Sequence, residues 1–127
     1  MTWPLSVVVP WPPSGNHSHV QFKMGTRIMR APSKETKAYW KAVETIVSEA
    51  STSRWEGGLL VVEATYFKPD NRRRDTDNAR KTLADGVARG LGTDDTWFLW
   101  RDVDIQVDRK DPRVELTMYP RDGGVDQ

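Results

Sequence analysis

Residues 57–69 read "GGLLVVEATYFKP", and this stretch decides the fold. Its β-branched and aromatic residues are typical of a β-strand, and its continuous apolar centre indicates a strand that is covered on both faces. The strand leads directly to "RRRDTDNARK" (72–81), where three arginines meet an Asp-x-Asp pair. The sequence therefore predicts a buried strand that delivers the chain to a dense cluster of charges.

The segments before and after this strand alternate between strand and helix patterns. The apolar run "LSVVV" (5–9) is stopped by prolines and predicts a buried strand, followed by a loop with a strand or a hairpin around residues 20–30. Apolar residues at helical spacing over 34–50, after an N-cap at Ser33, predict a first helix. A second helical pattern covers 77–89, with Asp77 as its N-cap and glycines at its end.

The C-terminal part contains two alternating segments joined by a "KDP" turn. Residues 102–108 and 113–119 predict a hairpin with one solvated face, in which Val103, Ile105 and Val107 point inward. The order of elements predicts an α+β fold, with a mixed β-sheet packed against two main helices. We expect a single compact domain over residues 1–120 and a flexible tail over 121–127.

Composition limits the possible classes of protein. The chain has 127 residues, which suits one domain, and its 37% hydrophobic and 29% charged residues exclude a disordered chain or a membrane protein. It contains no recognisable membrane span or signal peptide, so we expect a cytoplasmic protein without a membrane partner. The absence of cysteine excludes thiolate metal sites and makes hard cations the expected metals.

Charge is distributed unevenly along the chain. Residues 1–74 carry 11 Lys/Arg against 6 Asp/Glu, a net +5, whereas residues 75–127 carry 8 against 12, a net −4. The basic half suits phosphate binding and the acidic half suits a metal, although an uneven solvated surface explains the same numbers.

The predicted elements indicate how the charged side chains are placed relative to one another. In an extended chain Asp75 and Asp77 point to the same side, and in the following helix Asp77, Lys81 and Asp85 share one face. The acid pair Asp94 and Asp95 follows the end of that helix.

If the chain turns back after the helix, three carboxylates meet in an arrangement that Mg²⁺ uses for phosphodiester hydrolysis. Residues Arg72, Arg73 and Arg74 would then hold flanking phosphates. The alternative is a capped helix with solvated acids.

Four motifs together resemble the RusA family of Holliday junction resolvases. They are "PWPPSGN" (10–16), "KPDNRRRDTDN" (68–78), the Lys81 and Asp85 that follow, and "TDD" (93–95). The resemblance covers most of the chain in the same order. It implies a homodimeric, Mg²⁺-dependent endonuclease, with Mn²⁺ as a substitute, from a bacterium or prophage. Such enzymes cut branched DNA, the four-way junction, by paired symmetric nicks in recombination and repair.

The resemblance also implies roles for individual residues. It makes Asp75, Asp77 and Asp95 the catalytic acids and metal ligands, makes Lys81 the catalytic lysine, and gives Arg74 a role in handling DNA. Arg72 and Arg73 belong to the same basic run, and Asn16 and Asn78 are further candidates for DNA binding. Asn78 is equally well explained as an ordinary residue of the first helical turn.

Several alternatives stay open at this point. The segment before "TDD" is about one residue shorter than the family pattern, so Asp94 competes with Asp95 as the third ligand. Trp97, Phe98 and Trp100 suit burial in a core or dimer better than stacking on unpaired bases. Trp11 is expected to pin its loop to the core, and a functional role for His17 or His19 is not favoured.

Alternative functions also stay open. They are a non-catalytic nucleic-acid-binding module, a nuclease for other branched DNA, and a hydrolase of small nucleotides.

Overall fold

The computed structural model describes residues 3–13, 19–51, 57–71 and 76–121, without the side chains of His19 and residues 76–78. The chain contains both strands and helices, as expected for an α+β domain. The elements are β1 (Leu5–Pro10), β2 (His19–Met24), β3 (Arg27–Pro32), α1 (Lys34–Ala50), β4 (Leu60–Lys68), α2 (Thr76–Leu91), β5 (Phe98–Val107) and β6 (Arg113–Pro120). Asn16, the run Arg72–Arg74, Asp75 and the predicted tail from residue 122 lie outside the described residues. Neither α-helix is long and apolar enough to cross a membrane.

The main sheet is mixed, as predicted, and has the strand order β1-β6-β4-β5. Strand β4 pairs in parallel with β5 and antiparallel with β6, and β6 pairs antiparallel with β1. Strands β2 and β3 form a separate antiparallel hairpin. The strand at 57–69 that first suggested the fold is therefore an inner strand of the sheet, and α2 connects it to its parallel neighbour.

The predicted hairpin between residues 102–108 and 113–119 is wrong. Strand β4 lies between β5 and β6, and β5 begins at Phe98, earlier than predicted. The side chains expected to point inward are exposed by 60% at Val103, 46% at Ile105 and 38% at Val107. The physical reason is the position of β5 at the sheet edge: the buried core draws its side chains from the other main-sheet strands and the helices.

One face of the sheet carries the hydrophobic core together with both α-helices. The predicted helix at 34–50 is confirmed, and Ser33 caps it by accepting a hydrogen bond from the Thr36 amide at 3.1 Å. The predicted alternation in β6 is also confirmed. The buried cluster consists of Leu5, Val7, Val9, Tyr39, Val43, Val47, Leu60, Val62, Ala64, Tyr66, Leu83, Val87, Val114, Leu116 and Met118.

The opposite face of the sheet is more polar than predicted for β4. Only the first three residues, Leu60–Val62, are buried in succession, and the strand then alternates between buried and half-buried positions. On this face the Tyr119 hydroxyl donates to Glu63 at 3.0 Å, and the Arg113 guanidinium lies 3.9 Å from the ring centre of Phe67. Both helices pack on the other face, and on this one Val8 is 54% exposed.

Helix α2 packs against α1 along a line of small residues. A Cβ atom added to Gly86 would lie 3.0 Å from Val43, and one added to Gly90 would lie 2.7 Å from Cβ of Val47. The Trp40 indole also donates to the Thr82 carbonyl oxygen at 3.0 Å. These contacts require close approach of the two backbones, so glycine fixes how deeply α2 is seated.

Candidate active site

Helix α2 begins at Thr76, one residue before the predicted start, and ends at Leu91. Asp77 therefore lies inside the first turn and is not the N-cap, which corrects the prediction. The error is one residue, which is the usual uncertainty of a helix end read from sequence. The placement of Asp77 and Asn78 at the start of α2 is consistent with a site at this helix terminus, but their side chains lie outside the description.

Lys81 contacts two acids from different parts of the chain. Its Nζ lies 3.1 Å from Oδ2 of Asp95 and 3.7 Å from Oδ1 of Asp85. The contact with Asp85 follows from the i,i+4 spacing on α2, whereas the contact with Asp95 requires the chain to fold back. The structure thus brings together Lys81, Asp85 and Asp95.

The return of the chain depends on the C-terminus of α2. Gly92 has a φ of +73°, a left-handed conformation that glycine adopts without a steric penalty. The Thr93 amide donates to the Ala88 carbonyl oxygen at 2.9 Å, which closes the helix end. A short 3₁₀ helix, Asp95–Trp97, then leads into β5. This reversal places Asp95 beside α2.

The two neighbouring acids Asp94 and Asp95 have different contacts. Asp94 caps the 3₁₀ helix, because its carboxylate accepts hydrogen bonds from the Thr96 amide at 3.0 Å and from the Thr96 hydroxyl. These bonds lower the pKa of Asp94. Asp95 is the member of the pair that contacts Lys81, so the geometry favours Asp95 over Asp94 as the third acid.

The electrostatics keep Lys81 positively charged. Its hydrogen bond to Asp95, followed by the nearby charge of Asp85, raises the pKa of Lys81 above its usual value. Partial burial raises the pKa of Asp85, although Lys81 opposes the change and Asp95 adds to it. At neutral pH Lys81 is therefore an ammonium group, suited to stabilise negative charge or donate a proton and unsuited to act as a base.

A second network, made of hydrogen bonds that the sequence did not suggest, holds the N-terminal part of α2 against the sheet. Arg80 donates to Oδ2 of Asp102 at 2.5 Å, and the Tyr66 hydroxyl donates to Oδ1 of the same carboxylate at 2.7 Å. The Trp100 indole donates to the Tyr66 hydroxyl at 3.0 Å. Arg80 precedes Lys81, so this chain of hydrogen bonds fixes the turn that presents the lysine.

No local signal identifies this network. Arg80 belonged to the run of like charges, and Asp102 was one of the solvated positions of a predicted hairpin. Asp102 lies 22 residues from Arg80 and 36 residues from Tyr66 in the sequence. The parallel pairing of β4 with β5 brings Asp102 close to Tyr66, and α2, which connects these two strands, brings Arg80 to the same carboxylate.

The aromatic residues near the site divide into two groups. Phe98 and Trp100 are half-buried and pack against the core with ring centres 6.4 Å apart, as expected for these two. Trp97 is 43% exposed. Trp11 packs edge-on against the Tyr66 ring at 6.2 Å, as expected for a residue that pins its loop to the core.

A metal would find oxygen donors at this site. Among the side chains that the structure describes, no three or more Asp, Glu, His or Cys come together as a metal centre. Asp95 faces the same helix that carries Asp77 in its first turn. The donor types are carboxylates, without thiolates, and this donor chemistry fits a hard cation such as Mg²⁺.

Comparison with known proteins identifies the family. The family model described as Endodeoxyribonuclease RusA matches residues 10–119. The chain belongs to the RusA family. It is similar to the crossover junction endodeoxyribonuclease RusA of Shigella sonnei strain Ss046, with 32% identity over 115 residues, 89% of this chain and 92% of that protein.

The protein of the same name from Escherichia coli O139:H28 strain E24377A is 26% identical over 112 residues, 88% of this chain and 84% of its own length. The match runs from Pro10, the last residue of β1, to Tyr119 in β6, and it includes α2 and the acid pair. The resemblance seen in the sequence is confirmed, and the RusA-like chain is an endonuclease.

Proposed function

We propose that this RusA family member is a Mg²⁺-dependent, structure-selective endonuclease that resolves Holliday junctions by paired symmetric nicks. The observation that carries the proposal is the contact between Lys81 and Asp95, which connects α2 to the acid pair 14 residues later. A solvated helix cap would not need this return of the chain. The family match and the two relatives named as crossover junction endodeoxyribonucleases support the same function.

Each candidate residue has a distinct role in this proposal. Asp75, Asp77 and Asp95 hold Mg²⁺, which when bound supplies an activated water and neutralises charge on the scissile phosphate. Lys81 keeps its positive charge and stabilises the negative charge that develops on the phosphate oxygens. The run Arg72–Arg74 binds neighbouring phosphates through planar guanidinium groups.

The remaining polar candidates act on DNA position. Asn16 and Asn78 donate hydrogen bonds to the backbone of the branched DNA, contacts that orient a substrate without reading its sequence. Arg80 acts indirectly, because Asp102 holds its guanidinium and thereby the turn that carries Lys81.

Paired nicking requires two active sites, and we propose a homodimer. A two-fold axis relates two copies of the site and presents them to opposite strands of a four-way junction. Mn²⁺ replaces Mg²⁺, since both prefer oxygen ligands. Junction resolution would serve DNA recombination and repair, in a bacterium or in a phage or prophage.

A cleavage assay tests this function. The protein is incubated with a synthetic four-way junction, a matched duplex and a flap DNA, in Mg²⁺ or in EDTA. We expect symmetric nicks on the junction in Mg²⁺ only, and loss of cleavage with retained binding for Asp77→Asn. Asp104→Asn is the matched control, because Asp104 is exposed on β5 and its side chain bonds to Ile105 and Gln106 of the same strand.

The outcomes separate the competing functions. Binding without cleavage by the unaltered protein would favour a nucleic-acid-binding module, and preferential cutting of the flap would favour a nuclease for other branched DNA. Equal cleavage by the unaltered protein and Asp77→Asn would remove Asp77 from the active site.

A further inference from the structure

A basic groove lies between α1 and α2, on a surface to which no role has so far been assigned. It has a volume of about 390 Å³ and is lined by Pro32, Lys37, Trp40, Lys41, Glu44 and Arg89. Three of these six residues carry positive charge and one carries negative charge. The groove is therefore suited to an anion.

The position of Arg89 is fixed by an aromatic ring. Its guanidinium lies 4.3 Å from the ring centre of Trp40, a cation–π contact. The ring is itself held by the hydrogen bond from the Trp40 indole to the Thr82 carbonyl oxygen. Arg89 is thus held in place before any ligand binds, which lowers the entropy that binding would cost.

The two lysines occupy neighbouring turns of α1. Lys37 and Lys41 are exposed and separated by four residues, a spacing at which like charges repel and destabilise a helix. Among the ion pairs formed within the described residues, none involves Lys37, Lys41 or Arg89. An anion in the groove would relieve this repulsion.

The groove lies on the same side of α2 as the candidate active site. Lys81, Asp85 and Arg89 follow one another at four-residue intervals, so they share one helical face. The charge of Arg89 acts on Asp85, where it opposes the rise in the pKa of that carboxyl. Eight residues of helix place the Cα of Arg89 about 12 Å along the axis from that of Lys81.

We propose that this groove binds the phosphodiester backbone of the DNA whose scissile phosphate lies at Lys81. A distance of about 12 Å equals the axial rise of three to four nucleotides in B-form DNA, so for a duplex arm that lies parallel to α2 the contact falls about that many nucleotides from the cut. The inference rests on the proposed function. It adds a second contact site, made by Lys37, Lys41 and Arg89, to the contacts proposed for Arg72–Arg74.

Salt dependence of DNA binding tests the groove. The dissociation constant for a synthetic four-way junction is measured in EDTA at several salt concentrations, for the unaltered protein and for Lys37→Gln/Lys41→Gln. Each lost phosphate contact lowers the slope of the logarithm of the dissociation constant against the logarithm of the salt concentration by about 0.9. The slope of the double variant should therefore be about 1.8 lower than that of the unaltered protein. A slope difference of about 1.8 corresponds to about 60-fold in affinity between 1 M and 0.1 M salt, so the affinity of the double variant should fall by about that factor near 0.1 M, while kcat at saturating junction stays within about twofold.

A variant with the same charge change elsewhere provides the control. Arg109→Gln/Lys110→Gln removes two exposed positive charges from the turn between β5 and β6, and it should keep the slope of the unaltered protein. Arg89→Gln should lower the slope by about 0.9. Equal slopes for the two double variants would overturn the proposal.

Neutral phosphates locate the contact on the DNA. Methylphosphonate groups are placed at the third and fourth phosphates from the cut, on either side in turn. On one side they should weaken binding by the unaltered protein more than binding by Lys37→Gln/Lys41→Gln, which keeps only the Arg89 contact. Weakening of both proteins to the same extent would contradict the assignment.

The groove and the proposed function fail in different ways. If the unaltered protein does not cut the junction in Mg²⁺, the proposed function fails. If it cuts the junction and Lys37→Gln/Lys41→Gln keeps the full salt slope, only the groove assignment fails.

Discussion

Replacement of Asp102 by alanine tests the hydrogen-bond network that holds the N-terminal part of α2 against the sheet. The carboxylate accepts one bond from Arg80 and one from Tyr66. The Arg80 and Asp102 side chains are 37% and 30% exposed, so solvent screening reduces their ion pair to about 1 kcal/mol or less. Tyr66 is fully buried, so its bond to the charged carboxylate is worth about 1.5–3 kcal/mol. We expect Asp102→Ala to lower the free energy of unfolding by about 2–4 kcal/mol.

Urea denaturation measures this loss, and Asp104→Ala is the matched control on the same strand. The exposed Asp104 side chain bonds to Ile105 and Gln106 of its own strand, and its removal should cost less than about 0.5 kcal/mol. A double-mutant cycle with Tyr66→Phe should give a coupling of about 1.5 kcal/mol or more, because both changes remove the same hydrogen bond. Equal losses for Asp102→Ala and Asp104→Ala, or a coupling near zero, would refute the reasoning.

Two further predictions concern helix packing and pH. Gly90→Ala should destabilise the protein by up to about 2 kcal/mol in chemical denaturation, because the cost of overpacking against Val47 exceeds the gain in helix propensity. An increase in stability would contradict the close contact between the two helices. Burial is the larger cause, and the hydrogen bond to Asp102 the second, of a rise in the pKa of Tyr66 to about 12. The stability that the neutral phenol contributes is therefore complete below pH 10, and it is lost as the pH rises toward 12. Absorbance of phenolate at 295 nm should therefore rise later in the native protein than in urea, and Tyr66→Phe should reduce that delay.

Local patterns predicted the elements whose structure depends on near neighbours. Helix α1 was correctly predicted with its bounds and its Ser33 cap, because cap chemistry and a 3.6-residue period are both written within a short segment. The alternation of β6 was recognised for the same reason. The approach of Lys81 to Asp85 also follows from helical spacing alone.

The contacts missed by sequence reasoning all depend on pairing between distant strands. Alternation reports that a strand has two different faces, but it does not identify the strand's neighbours. The turn at residues 109–112 favoured a hairpin, whereas β4 separates β5 from β6 and pairs with both. The same pairing creates the contact of Arg80 with Asp102.

The approach of Asp95 is an intermediate case. The sequence supplied the glycine at position 92 and the acid pair after it, which made a reversal possible. Which of the two acids caps the 3₁₀ helix and which one contacts Lys81 became visible only in the folded chain.

The rate of Mg²⁺-dependent junction cleavage by Asp95→Asn, compared with Asp94→Asn, tests the central claim most directly. Both variants remove one negative charge from adjacent residues, and asparagine replaces aspartate well as a helix cap. Single-turnover cleavage should fall at least about a hundredfold for Asp95→Asn, a loss typical of a group that acts on the transition state. It should stay within about threefold for Asp94→Asn. Equal rates for the two variants, or a larger loss for Asp94→Asn, would contradict an active site built from Asp95 and Lys81.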